Sequence, residues 1–218
     1  MIFINAIYYV HMIITYNTLE SFKLQFGDTV IACNPVSKQS SYPSTSFSAD
    51  IVLVSIKHPD MNGVETASRG DNEPFVIDGP GEYEINDIYI RGFPTLSEYE
   101  GSTRNTLYLI TLEDMHICFA GAISSPTLSS EILEELDDVD ILFIPVGGEG
   151  VLSPADAQKL SVSLEPKIVI PMHYTKESLQ AFLKEKGSTA GALDKLTIKK
   201  KEVMEKEGEI VILKPITQ

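Results

Sequence analysis

The pattern of apolar and polar positions divides the chain into two unlike halves. The first half reads as strands. Residues 13–16 form a short apolar run, and Ser21-Phe22-Lys23-Leu24-Gln25-Phe26 alternates with the period of two of a half-buried strand. Gly27-Asp28 predicts a two-residue turn into Thr29–Cys33, and Asn34-Pro35 stops the resulting hairpin. Residues 37–48 are rich in Ser, Thr and Pro and predict a loop. The unbroken apolar run at 51–54 predicts a strand covered on both faces. Further strands are predicted at 74–77, 81–84, 87–92, 106–111 and 116–120.

The second half alternates helix and strand. Residues 129–136 predict a helix with a Ser N-cap and acids in its first turns. Ser153-Pro154-Ala155-Asp156 predicts another, with Ser at N-cap, Pro at N1 and an acid at N3, running to about Val162. A third spans 175–186 and ends at Gly187, before a loop at 187–191. Strands are predicted at 141–145, 167–171 and 209–213. Many strands followed by β-α-β-α predict two sheets packed face to face with helices outside. There is neither a repeat of solenoid period nor a clear linker, so one domain is expected over 12–218. Residues 1–11 are apolar without a basic region or cleavage site, and the apolar stretch is too short to span a bilayer. They are read as an N-terminal extension, with Met12 favoured as the natural start over an extra strand or apolar arm.

Composition narrows the function classes. Seventeen basic residues stand against 31 acidic ones, for a net charge of −14. So acidic a chain repels phosphates unless it carries a concentrated basic patch. Its one dense basic run, Lys199-Lys200-Lys201, is followed at once by acids. Nucleic-acid and anionic-membrane partners are therefore not expected, and a homo-oligomer is left open. Cys33 and Cys118 both lie in apolar runs, which reads as two small hydrophobes in a reducing, cytoplasmic setting. Neither carries a cue for activation, and no Gly-x-Ser-x-Gly elbow is present. Gly147-Gly148-Glu149-Gly150 lacks the Lys-Ser/Thr of a P-loop; its glycines are read as letting the backbone pass close beneath a site.

Chemistry concentrates on loops at strand ends. One such loop is Ser55-Ile56-Lys57-His58-Pro59-Asp60-Met61-Asn62-Gly63, and another is Pro171-Met172-His173-Tyr174. Together with Ile14-Thr15-Tyr16, Gly79-Pro80-Gly81-Glu82-Tyr83-Glu84, Asn105-Thr106-Leu107-Tyr108 and Ile144-Pro145-Val146-Gly147-Gly148, they resemble, in order, the metallo-β-lactamase fold. Within it the closest resemblance is to the Zn-dependent hydrolases related to ascorbate-6-phosphate lactonases. The resemblance covers roughly 12–213 and implies an αββα sandwich with a two-metal centre in a His-x-His-x-Asp-His loop.

Residue by residue, this sequence departs from the pattern that resemblance implies. Ile56 and Met61 stand at the first and third His of the loop, while His58 and Asp60 match. Ser97 stands where a later His is usual, Ala122 where the bridging Asp is usual, and His173 matches the last ligand. The retained set is His58, Asp60 and His173, with Asp60 the catalytic candidate if the chain is active. An Ile, a Met and an Ala cannot ligate a hard or borderline ion. The expectation is therefore a non-catalytic binding or scaffold protein without a cofactor, in which Ile56, Met61 and Ala122 line a small dry cleft with His58 and His173 at its rim. The rival is a mononuclear hydrolase of a small ester, lactone or phosphorylated metabolite, with zinc at low occupancy. In the structural reading His58 bonds a loop carbonyl, Asp60 caps a short helix near Met61, and His173 is a satisfied histidine at a strand end.

Overall fold

The computed structural model describes residues 11–70, 73–187 and 191–216. In chain order the elements are β1 (Met12–Thr18), β2 (Ser21–Phe26), β3 (Thr29–Cys33), β4 (Ile51–Leu53), α1 (Val64–Ala67), β5 (Phe75–Ile77), β6 (Gly81–Ile85), β7 (Ile88–Thr95), β8 (Asn105–Leu112), β9 (Met115–Phe119), α2 (Ser130–Glu135), β10 (Ile141–Pro145), α3 (Pro154–Leu164), β11 (Ile168–Met172), α4 (Lys176–Lys186), β12 (Ala192–Leu193), β13 (Leu196–Ile198), α5 (Lys200–Val203), β14 (Glu209–Ile210) and β15 (Ile212–Leu213). A 3₁₀ turn covers Tyr99–Gly101.

Two mixed sheets form the body. The first has the order β13-β1-β2-β3-β4-β5 and the second β14-β11-β10-β9-β8-β7-β6, with β12 and β15 as a separate pair. The hairpin from β2 to β3 closes with Phe26 opposite Thr29, as the Gly27-Asp28 turn predicts. The strand β4 lies between β3 and β5, parallel to both, and its apolar run is covered on each face, Ile51 and Leu53 by the second sheet and Val52 by α1. Alternate residues of both sheets meet in one core, in which Phe22, Leu24 and Ile51 face Tyr108, Phe119 and Phe143. The opposite face of the second sheet, including Leu142, Ile144 and Val169, is covered by Leu160 and Leu164 of α3 and Phe182 of α4. Ala67 of α1 packs on Ala32 and Val52 outside the first sheet. This is the αββα sandwich expected.

The helix ends follow their sequence signals. Ser129 and Ser153 cap α2 and α3, Thr175 forms a capping box with Ser178, and Gly187 ends α4 in the left-handed region. Other features differ from expectation. The run expected as one strand at 209–213 divides, β14 pairing with β11 and β15 with β12; the apolar residues 210–213 carry no mark of where the partner changes. The strands β12 and β13 and the helices α1 and α5 are too short for a periodicity to declare them. Pro94 lies inside β7, beyond the last residue that β6 pairs, so its missing N–H faces no neighbour. The basic run is not a free patch, since Lys200 Nζ lies 2.6 Å from the wholly buried Asp140. Apart from the exposed His11, the expected extension at 1–11 lies outside the described residues, as does most of the loop at 187–191. Among the described residues no helix is long and apolar enough to cross a membrane.

One side chain ties the sheets together. The Tyr108 hydroxyl, on the second sheet, reaches the carbonyl oxygens of Val54 at 2.7 Å and Ile77 at 3.1 Å in the first. Burial pushes this phenol well above its usual range, so it remains a donor. Tyr108→Phe leaves a buried carbonyl without its donor, which costs about 1–3 kcal/mol. Thermal unfolding of this variant is expected to fall by about 2–4 °C per kcal/mol lost.

Candidate functional site

The loops following β4 and β11 meet the segment 97–101 at one end of the sandwich. His58 and Asp60 come from the first loop, His173 from the second, and Tyr99 from the 3₁₀ turn. The Tyr99 ring packs against both imidazoles, its centroid 5.5 Å from that of His58 and 5.0 Å from that of His173, edge to face with each. Its hydroxyl donates to Asp60 Oδ2 at 2.6 Å. Burial, and then the neighbouring Asp60, push the Tyr99 phenol far above its usual range, which keeps it a donor. Asp60 is itself buried, and its other oxygen accepts from Ser40 at 2.5 Å. Both carboxylate oxygens are thus engaged by hydroxyls.

Asp60 does not cap a helix, contrary to expectation. The nearby helix α1 starts three residues later than the apolar pattern implies, and Gly63 at its N-cap supplies no side chain. Nor is a loop carbonyl the partner given to His58. The Asp60 backbone N–H donates to His58 Nδ1 at 3.3 Å. Asp60 Oδ2 lies 3.4 Å from the same nitrogen. His173 is satisfied: its Nδ1 lies 2.8 Å from Oε1 of Glu20, and its N–H donates to the Leu19 carbonyl at 2.7 Å.

Glu20, in the turn between β1 and β2, is wholly buried. Its second oxygen accepts from Asn34 Nδ2 at 2.9 Å, and the same amide donates to Ser55 Oγ at 2.7 Å while its oxygen accepts from the Ser55 N–H. A polar chain therefore runs from His173 through Glu20 and Asn34 to the residue next to Ile56. A buried carboxylate needs such partners, because an unpaired one is strongly penalised.

The apolar members sit beside this chain. Ile56, Met61, Tyr99, Ala122 and Val151 form one buried cluster. Ser97 Oγ accepts from the Tyr99 N–H at 3.2 Å, a local turn that seats the ring. Gly147 and Gly150 make room below. A Cβ on Gly147 would lie 2.2 Å from the His173 carbonyl oxygen, and one on Gly150 2.7 Å from Tyr99 Cα. His116 belongs elsewhere, on β9 against Asp138. Burial pushes both thiols well above their usual range, which fits inert core cysteines. Among the described residues no group of three or more His, Cys, Asp or Glu is placed to hold a metal ion.

A family model described as the beta-lactamase superfamily domain matches residues 13–173, a span that contains every residue of this site. The chain belongs to the β-lactamase superfamily. Its superfamily relatives include a UPF0173 metal-dependent hydrolase of Lysinibacillus sphaericus, 25% identical over 194 residues that cover 75% of this chain and 85% of the relative. A Thermotoga maritima structure assigned to the Zn-dependent hydrolases of the metallo-β-lactamase superfamily superposes with a TM-score of 0.75 at 26% identity, over 94% of this chain and 100% of that one. A Parabacteroides distasonis structure shares the fold with a TM-score of 0.67 at 18% identity, over 95% and 94% of the two chains.

Tyr99, Glu20, Asn34 and Ser40 are the site residues that the sequence did not single out. Tyr99 follows the Ser97 position closely and looks there like an ordinary loop aromatic. Glu20 resembles a solvated turn acid until the fold closes over it. Tyr99→Phe removes one of the two hydroxyl donors to Asp60 and is expected to cost about 1–3 kcal/mol. Tyr99→Ala also opens a cavity and is expected to cost about 3–5 kcal/mol. Denaturant titration of both variants checks the size and the order of these losses.

Proposed function

We propose that this chain is a non-catalytic member of the metallo-β-lactamase fold, acting by binding, and that the centre its relatives are named for is closed here by packing. The carrying observation is the placement of Tyr99, whose ring packs edge to face against both His58 and His173 while its hydroxyl holds Asp60. Three further features support the reading. Ile56 and Ala122 bring no donor atom, Met61 brings only a thioether unsuited to a hard or borderline ion, and all three cluster with that ring. Ser97 is used to seat it. Both oxygens of Asp60 already accept hydrogen bonds. The donor set thus fits neither a two-ion centre nor a complete three-ligand site with an open position. No hydrolytic step is derived from it.

One observation favours the rival. The His173 Nδ1 contact with buried Glu20 is the support that a carboxylate gives to a metal-bound imidazole, leaving Nε2 as the free ligand atom. On that reading His58, Asp60 and His173 hold one ion and the chain retains weak hydrolase activity toward a small ester, lactone or phosphorylated metabolite. Metal analysis of the purified, unsupplemented chain separates the two. Well below one zinc or manganese per chain is expected, together with an unfolding temperature that a chelator leaves unchanged. One tightly held ion per chain, with chelator-sensitive stability, would establish the rival instead. Restoring donors with Ile56→His, Met61→His and Ala122→Asp is expected to raise zinc affinity; no gain would mean that these positions are not the family's ligand positions.

A further inference from the structure

A groove of about 460 Å³ opens between β7 and α2 and shares no lining residue with the His58–Tyr99–His173 cluster. Its size lies within the roughly 300–1,000 Å³ typical of small-ligand sites. Half-buried Phe93 and Ile132 supply its apolar lining above the buried Ile123 and Leu128, and Leu96 at its edge is 63% exposed. Such an apolar concavity with a few charged groups at its margin has the composition of a binding site for an amphipathic molecule.

The charges at that margin select the sign of the ligand. Arg91 rests with its guanidinium carbon 5.4 Å from the centroid of the Phe93 ring, so the ring already carries a cation on its face. The terminal nitrogens of Arg91 are held by Glu135 and by Glu82, the latter at 3.2 Å. Only its buried Nε lacks a partner, a single donor with no second one beside it. An incoming carboxylate would meet Glu135 and Glu131 before it met a free cation. Glu131, by contrast, is exposed, lines the groove, and makes no ion pair among the described residues. The field of a chain carrying −14 adds a general attraction for cations.

We propose that this groove binds an amphipathic organic cation, an ammonium or guanidinium group received by Glu131 with an apolar body lying along Phe93, Leu96 and Ile132. This goes beyond the closed centre and does not depend on it, because the groove has the same lining whether or not His58 and His173 bind an ion.

The test uses the full chain near pH 7 at about 0.15 M salt, where long-range attraction is screened. Calorimetric titrations compare three probes of similar shape: phenethylamine, which is cationic, the neutral phenethyl alcohol, and the anionic hydrocinnamate. Phenethylamine is expected to bind saturably, one per chain, about 3- to 10-fold more tightly than either of the others. Glu131→Gln is expected to remove most of that preference, whereas Glu177→Gln, which deletes the same charge on α4, leaves it intact. Phe93→Leu keeps an apolar lining, and because the ammonium is received by Glu131 it is expected to weaken the amine and the alcohol alike, leaving their ratio unchanged within about 2-fold. Hydrocinnamate binding as well as the amine would overturn the proposal and point to Arg91. Absence of saturation, or equal losses in Glu131→Gln and Glu177→Gln, would also overturn it, leaving only the general attraction of an acidic surface.

Discussion

The hydrogen bond from Tyr99 to Asp60 is the contact on which this end of the sandwich depends. A carboxylate as buried as Asp60 requires partners, and two hydroxyls meet that requirement here. One of them is carried by a large ring, and holding the hydroxyl in place holds the ring against His58 and His173. The neighbouring side chains accommodate that placement. Ile56, Met61, Ala122 and Val151 surround the ring with apolar surface, Ser97 turns the chain toward it, and Gly150 leaves space for its backbone. Residues from five separate stretches of the chain thus converge on one aromatic side chain.

The polar side of the same region has its own logic. Glu20 lies fully inside the protein, and His173, Asn34 and Ser55 link it to the loops after β3, β4 and β11. Completely satisfied, such a network fixes loop positions; half satisfied, it would destabilise them. In an active relative's site, a carboxylate behind a histidine orients a ligand atom. In the reading proposed here the same pair serves to hold the end of β11 against the turn between β1 and β2.

Much of this architecture was legible in the sequence because its signals are local. The alternation in β2, the turn at Gly27-Asp28, the caps at Ser129, Ser153 and Thr175, and the unbroken runs of β4 and β10 each state their own conformation. The division of 209–213 between two sheets was not legible, since an apolar residue carries no label for its partner strand. The same limit applies to the site. His58, Asp60, His173 and the apolar Ile56, Met61 and Ala122 were marked by their positions on two strand-end loops. Asp60 was misread as a helix cap because its true partners, Ser40 and Tyr99, are 20 and 39 residues away. Glu20 is 153 residues from His173, and nothing local to either residue announces that they meet.

The central claim is that a phenol ring, and not an ion, is the shared neighbour of the two imidazoles. Proton NMR in solution tests it most directly, through nuclear Overhauser contacts from the Tyr99 ring to the imidazole protons of His58 and His173, recorded before and after one equivalent of zinc. Both contacts should be present, and zinc should leave them unchanged. Their disappearance on addition of zinc, with both imidazoles shifting together and saturating at one ion per chain, would contradict the claim.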